Sequence, residues 1–113
     1  MNNIIVYCET DGGRLCDVSL ELMTKARDLA ASLSCDVEAL LIGHDVRGLA
    51  DELYSYGAAV VHLADDKRLE FFRTLPYASI TIDLFRKEQP QIALFGATSV
   101  GRDLAPRVSS ALH

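Results

Sequence analysis

Ile92-Ala93-Leu94-Phe95-Gly96-Ala97-Thr98-Ser99-Val100-Gly101-Arg102-Asp103 decides the architecture of this 113-residue chain. A short run that is apolar on consecutive positions closes on a glycine, and small and hydroxylated residues then lead into a segment with helical spacing. Consecutive apolar positions suit a strand covered on both faces. A strand handed through a glycine turn into a helix is the repeating half of a parallel α/β sheet. Three other stretches have the same character: Ile4-Ile5-Val6-Tyr7-Cys8, Val37-Glu38-Ala39-Leu40-Leu41-Ile42 ended by Gly43, and Ala59-Val60-Val61-His62-Leu63.

Between them lie helical stripes. Leu22, Ala26, Leu29, Ala30 and Leu33 fall on one face, opposite Glu21, Lys25, Asp28 and Ser32, with Glu21 and Lys25 four apart as a favourable ion pair. Asp17 or Ser19 is expected to cap this helix. A second helix is expected over Val46 to Tyr56, stopped by Gly57. Tyr77, Ile80, Thr81, Leu84 and Phe85 mark a third, preceded by Pro76 where a missing N–H is harmless. A fourth runs from about Ser99 to Leu112.

This alternation predicts an open parallel three-layer α/β/α sheet in strand order 3-2-1-4, with its topological switch between the first and fourth strands. The segment 64–74 is an excursion with room for a short helix. The fourth strand is expected to keep one unpaired side, so the chain reads as a fragment or as half of an interface.

Half of the residues are hydrophobic and 24% are charged, the balance of a globular protein. A net charge of −5 with no Lys/Arg run argues against nucleic acid. No stretch reaches the ~18 apolar residues of a membrane span, and the N-terminal sequence has no basic leader. Cys8, Cys16 and Cys35 are odd in number and lack a C-x-x-C pair, which points to reduced thiols in a cytoplasm rather than disulfides or zinc.

A ligand of an open parallel sheet is expected beyond the carboxyl ends of the strands at the switch. The best candidates there are Thr98, Ser99, Gly101 and Arg102: amides at a helix start, hydroxyls and one cation, suited to an anion. Gly96-x-x-x-x-Gly101 matches the front of a P-loop, but Arg102-Asp103 stand where Lys and Ser/Thr are required. The competing reading is a plain strand-to-helix turn, with Ser99 as cap, Gly101 packed close to the sheet, and Asp103 capping a second start that leaves Pro106 in a first turn.

The first strand is followed by Cys8-Glu9-Thr10-Asp11-Gly12-Gly13 rather than G-x-G-x-x-G, and its carboxylates repel phosphate. A hairpin turn at Asp11-Gly12-Gly13 accounts for the glycines. His44 reads as a solvent-facing turn residue, and His62 as a rim residue or hydrogen-bond acceptor. With His113 the histidines show no metal spacing. Cys8 is expected to be buried and inert. Asp65-Asp66, followed by Lys67-Arg68, read as a solvated charge cluster. No serine, cysteine or threonine has a recognisable base partner, so the chain reads as non-catalytic. The alternative is a stand-alone nucleotide-binding α/β module using the Gly96–Arg102 loop.

Over its whole length the sequence resembles the N-terminal domain of the electron-transfer flavoprotein alpha subunit. The resemblance rests on Ile4-Ile5-Val6, Glu9, Asp11-Gly12-Gly13-Arg14-Leu15, Val18-Ser19-Leu20-Glu21-Leu22 and Lys25-Ala26-Arg27-Asp28-Leu29-Ala30. It continues through Leu41-Ile42-Gly43-His44, Tyr56-Gly57-Ala58, Pro76-Tyr77-Ala78 and Pro90-Gln91-Ile92. It is most specific from Leu94 through Gly96-Ala97-Thr98-Ser99-Val100-Gly101-Arg102-Asp103-Leu104-Ala105-Pro106-Arg107.

The resemblance implies a Rossmann-like fold related to adenine nucleotide alpha hydrolases. It implies an alpha/beta heterodimer that carries electrons on FAD from flavin dehydrogenases, such as acyl-CoA dehydrogenases, to a membrane quinone reductase or another acceptor in a bacterial cell. It further implies that FAD is held mainly by a C-terminal alpha domain absent from this chain. No flavin ligand is therefore expected within 1–113, whose role is to support the assembly and pack on the beta subunit.

Overall fold

The computed structural model describes residues 2–112. In chain order the elements are β1 (Ile4–Cys8), a small hairpin of β2 (Thr10–Asp11) and β3 (Arg14–Leu15), α1 (Asp17–Leu33), β4 (Val37–Gly43), α2 (Ala50–Ser55), β5 (Val60–Asp65), α3 (Thr74–Glu88), β6 (Ile92–Leu94) and α4 (Ser99–Leu112). The main sheet is parallel in the order β5-β4-β1-β6, which is the expected 3-2-1-4 arrangement. Ile4 lies opposite Val37 on one side and Ile92 on the other. His113 lies outside the described residues.

Strands buried on both faces need two cores, and two are present. Ile4, Val6 and Cys8 join Ala39 and Leu41 beneath Met23, Ala26 and Ala30 of α1 and Leu53 of α2. Ile5, Tyr7, Leu40 and Ile42 face the opposite way, against Tyr77, Ala78 and Phe85 of α3 and Leu104 and Val108 of α4. Each large apolar side chain enclosed in this way contributes on the order of 2–5 kcal/mol relative to alanine. Tyr7 stacks on Phe95 with ring centroids 5.6 Å apart, tying the centre of the sheet to its β6 edge.

Several local expectations are corrected. The inner face of α1 is Ser19, Met23, Ala26 and Ala30, while Leu33 is exposed. Neither Asp17 nor Ser19 caps α1: Cys16 stands at the N-cap with no side-chain bond. Ser19 is fully buried and uses its hydroxyl on β1's exit instead, accepting from the Glu9 N–H at 2.6 Å and donating to the Glu9 carbonyl at 3.2 Å. Val46 to Tyr56 is a 3₁₀ turn, Arg47–Leu49, leading into α2, and Gly57 at φ 104° ends it in the left-handed region.

α3 begins two residues before Pro76, which still lies in the first turn. α4 is a single helix, so Asp103 starts nothing new and Pro106 sits inside it. The excursion after β5 holds a 3₁₀ turn at Lys67–Leu69, kept in place by the Tyr77 hydroxyl donating to the Leu69 carbonyl at 2.6 Å.

Candidate functional site

The β1 exit and the β6–α4 junction meet at the topological switch. Thr98 stands just before α4, and its Oγ1 accepts the Gly101 N–H at 3.0 Å, so Thr98 rather than Ser99 is the cap. The same hydroxyl donates to Glu9 Oε2 at 2.7 Å. Gly101 is where it is because the helix passes over the backbone of Gly96: a Cβ there would lie 1.9 Å from the Gly96 carbonyl oxygen. Ser99 and Arg102 are exposed, and the Arg102 N–H donates to the Thr98 carbonyl at 2.8 Å in the first helical bond. The hairpin read at Asp11-Gly12-Gly13 is present, with Gly12 and Gly13 at φ 60° and 77°.

A concavity of about 540 Å³ opens beside this junction, between the carboxyl ends of β1 and β4. Its wall includes Glu9, Asp11, His44, Phe72, Tyr77 and Val100. Val100 is the only part of the Thr98–Arg102 turn that reaches it; Thr98, Ser99, Gly101 and Arg102 lie outside. The carboxylates of Glu9 and Asp11 give its rim a negative sign, which disfavours phosphate.

Burial, with the Glu9 charge second, pushes the Cys8 thiol up to about 12, so it stays protonated and unreactive in the core. Burial, followed by Tyr77, Glu9 and Cys8, also raises the Tyr7 hydroxyl far above its ordinary range. Neither group is suited to proton transfer near neutrality.

The Asp65-Asp66 pair divides its work. Asp65 accepts backbone N–H bonds from Asp45, Val46 and Arg47 at 2.8, 3.0 and 3.1 Å, joining the β5 end to the β4–α2 turn. Desolvation raises its carboxyl somewhat, but those amides and nearby His44 prevail and hold it below its ordinary value. Asp66 caps the next turn and pairs with Arg68, whose side chain and amide hold it at about 2. His44 lies 3.3 Å from Asp45 and is half-buried, less solvent-facing than its turn position suggests.

Sequence spacing missed a second cluster at the opposite end of the sheet. His62 Nε2 lies 2.6 Å from Glu38 Oε1, Glu38 is only 5% exposed, and Glu88 at the end of α3 brings a third donor within 4.8 Å of both. The available signal was a glutamate inside an otherwise apolar buried run, since such a charge requires a partner.

A model of the electron transfer flavoprotein domain matches residues 4–113. The chain belongs to the electron transfer flavoprotein domain family. It is 47% identical to the electron transfer flavoprotein subunit alpha of Megasphaera elsdenii, covering 96% of this chain and 32% of that protein. It is 39% identical to the acryloyl-CoA reductase electron transfer subunit beta of Anaerotignum propionicum, covering 98% and 30%. It is 43% identical to subunit LctC of the lactate dehydrogenase (NAD(+),ferredoxin) of Acetobacterium woodii, covering 95% and 26%. The chain thus spans about a third or less of the length of these relatives.

Among solved structures it resembles the universal stress protein from Archaeoglobus fulgidus, with TM-score 0.63 at 14% identity over 94% of this chain and 92% of that one. At that identity the likeness concerns the fold. Within the electron transfer flavoprotein domain, the string from Gly96 to Arg107 forms the β6–α4 junction and the first half of α4, where the backbones of Gly96 and Gly101 meet.

Proposed function

We propose that this chain is the N-terminal supporting domain of an electron-transfer flavoprotein alpha subunit and carries no prosthetic group of its own. The observation that carries this reading is the family match from residue 4 to 113, and the Glu9–Thr98 bond supports its second half. A helix start binds an anion when its N–H groups and neighbouring hydroxyls are free. Here a carboxylate occupies the hydroxyl, and the hydroxyl in turn occupies one of the amides.

In the proposed assembly this domain packs against a beta subunit and helps to enclose FAD held by a further alpha domain. The heterodimer would take electrons from flavin dehydrogenases, acyl-CoA dehydrogenases among them, and pass them to a quinone reductase or another acceptor in the cytoplasm. The isoalloxazine supplies the redox chemistry, and the protein supplies binding, orientation and electrostatics. The chain's own part is to hold a rigid wall, not to move protons or electrons.

The test is to purify the chain alone, dialyse it and record a visible spectrum, then repeat with a beta subunit and a full-length alpha chain carrying this sequence. The isolated chain is expected to be colourless. The heterodimer should be yellow and be reduced by an acyl-CoA dehydrogenase with its substrate. Stoichiometric flavin on the isolated chain, or a colourless heterodimer, overturns the proposal. Tight calorimetric binding of ATP or AMP by the isolated chain would favour the stand-alone nucleotide module instead.

A further inference from the structure

Glu38, His62 and Glu88 come from β4, β5 and α3, and meet at the amino end of the sheet, away from the switch-point loops. Their ligand-capable atoms, two carboxylate oxygens and an imidazole nitrogen, all lie within 4.8 Å of one another. Glu38 and His62 are brought together by the register: Glu38 is opposite Val60 and Leu40 is opposite His62, so both side chains stand on the α3 face two positions apart.

The arrangement is supported from behind. Asn3 donates from Nδ2 to Glu38 Oε2 at 2.8 Å, leaving Oε1 to face the imidazole. Asn3 is itself fixed, because its Oδ1 accepts the Asp36 N–H at 3.0 Å and its carbonyl accepts the Gln91 N–H at 2.9 Å. An outer group that orients a carboxylate toward one point is the usual companion of a metal ligand.

Charge points the same way. Two carboxylates sit close together at the carbonyl end of α3, itself a partial negative charge. Among the described residues no lysine or arginine forms an ion pair with either of them.

We propose that Glu38, His62 and Glu88 form a binding site for one divalent first-row transition ion, of the zinc class. Two carboxylates neutralise a dication, and a mixed oxygen and imidazole set suits such ions better than calcium or magnesium. Ligand bonds of about 2.0–2.2 Å place neighbouring donors a little over 3 Å apart, so binding replaces the short Glu38–His62 contact and draws Glu88 in. The His62 side chain, 22% exposed, leaves an entry path. None of the three residues lines the switch-point cavity, so the ion would join three elements of the fold and take no part in electron transfer; the inference stands apart from the function proposed above.

Chelator-treated protein titrated with zinc chloride in a calorimeter should take up one ion per chain, and one equivalent should raise the melting temperature. Glu88→Gln, a neutral change at a helix end, should weaken uptake at least about tenfold and remove the thermal shift, as should His62→Asn. If His62→Asn fails to fold, Glu88→Gln decides. Cobalt in place of zinc should give visible d–d bands without a thiolate charge-transfer band. Absence of stoichiometric uptake, uptake undiminished in Glu88→Gln, or a cobalt–thiolate band overturns the proposal.

Discussion

Thr98 and Glu9 are 89 residues apart in sequence, yet the Thr98 hydroxyl donates to the Glu9 carboxylate at 2.7 Å. That bond joins the exits of β1 and β6, and because the hydroxyl oxygen also accepts the Gly101 N–H, it links α4's cap to β1.

Thr98→Ala should therefore lose a cap and a cross-loop bond together, destabilising by about 1–2 kcal/mol. Near this size each kcal/mol lowers the melting temperature by roughly 4–8 °C. Thr98→Ser should retain most of the stability, and Ser99→Ala should be nearly neutral. Urea denaturation of the three variants checks this; equal losses in Ser99→Ala and Thr98→Ala would return the cap to Ser99.

Gly101→Ala reverses the usual sign of a helical substitution. Alanine in place of glycine normally stabilises a helix interior by up to about 1 kcal/mol. Here the added methyl would press on the Gly96 carbonyl oxygen, backbone that cannot swing aside. A loss of about 3 kcal/mol or more is expected, by the same denaturation measurement. A gain would mean that α4 does not cross Gly96 this closely.

Asp65 and Asp66 set an acid limit. Both carboxyls are held below the ordinary value of 3.8, Asp66 at about 2. A depressed carboxylate contributes stability that is fully present above its unfolded value and lost as pH falls through its folded value. The urea midpoint should accordingly stay level from pH 7 to about pH 5 and decline below about pH 4. Asp65→Asn should lower the midpoint at pH 7 and flatten the acid decline, because an amide offers one acceptor to three N–H groups. An unchanged acid slope in that variant would remove Asp65 from the explanation.

Cys8 should resist alkylation. With its thiol at about 12 and 1% exposed, iodoacetamide at pH 8 should leave it unmodified in the native protein and label it only after unfolding in urea. Peptide mass spectrometry distinguishes the states; native labelling of Cys8 would show that β1 opens to solvent.

The sheet was legible because its two central strands are nearly all apolar on consecutive positions: Ile4 to Cys8 throughout and Val37 to Ile42 but for Glu38, and the turns are marked by Gly43, Gly57 and Gly96. Single side chains were less legible. Ser19 has the look of a cap, yet the sheet needs its hydroxyl to satisfy the Glu9 backbone. Leu33 falls on the apolar stripe but is the last residue of α1 and stays 43% exposed. Glu38 and His62 are 24 residues apart, and only the β4–β5 register brings them together. Spacing finds local chemistry; a side-chain cluster assembled from three elements becomes visible once the strands are paired.

Pro106 interrupts the hydrogen bonding of α4. It has no N–H for the Arg102 carbonyl, so one rung of the helical ladder is missing midway along. The half before it is anchored by Thr98 and Leu104, the half after by Val108 and by Arg86 reaching the Ala111 carbonyl at 3.3 Å. α4 thus stays one helix across the missing rung because tertiary contacts on either side of Pro106, rather than its own ladder alone, hold it to the fold.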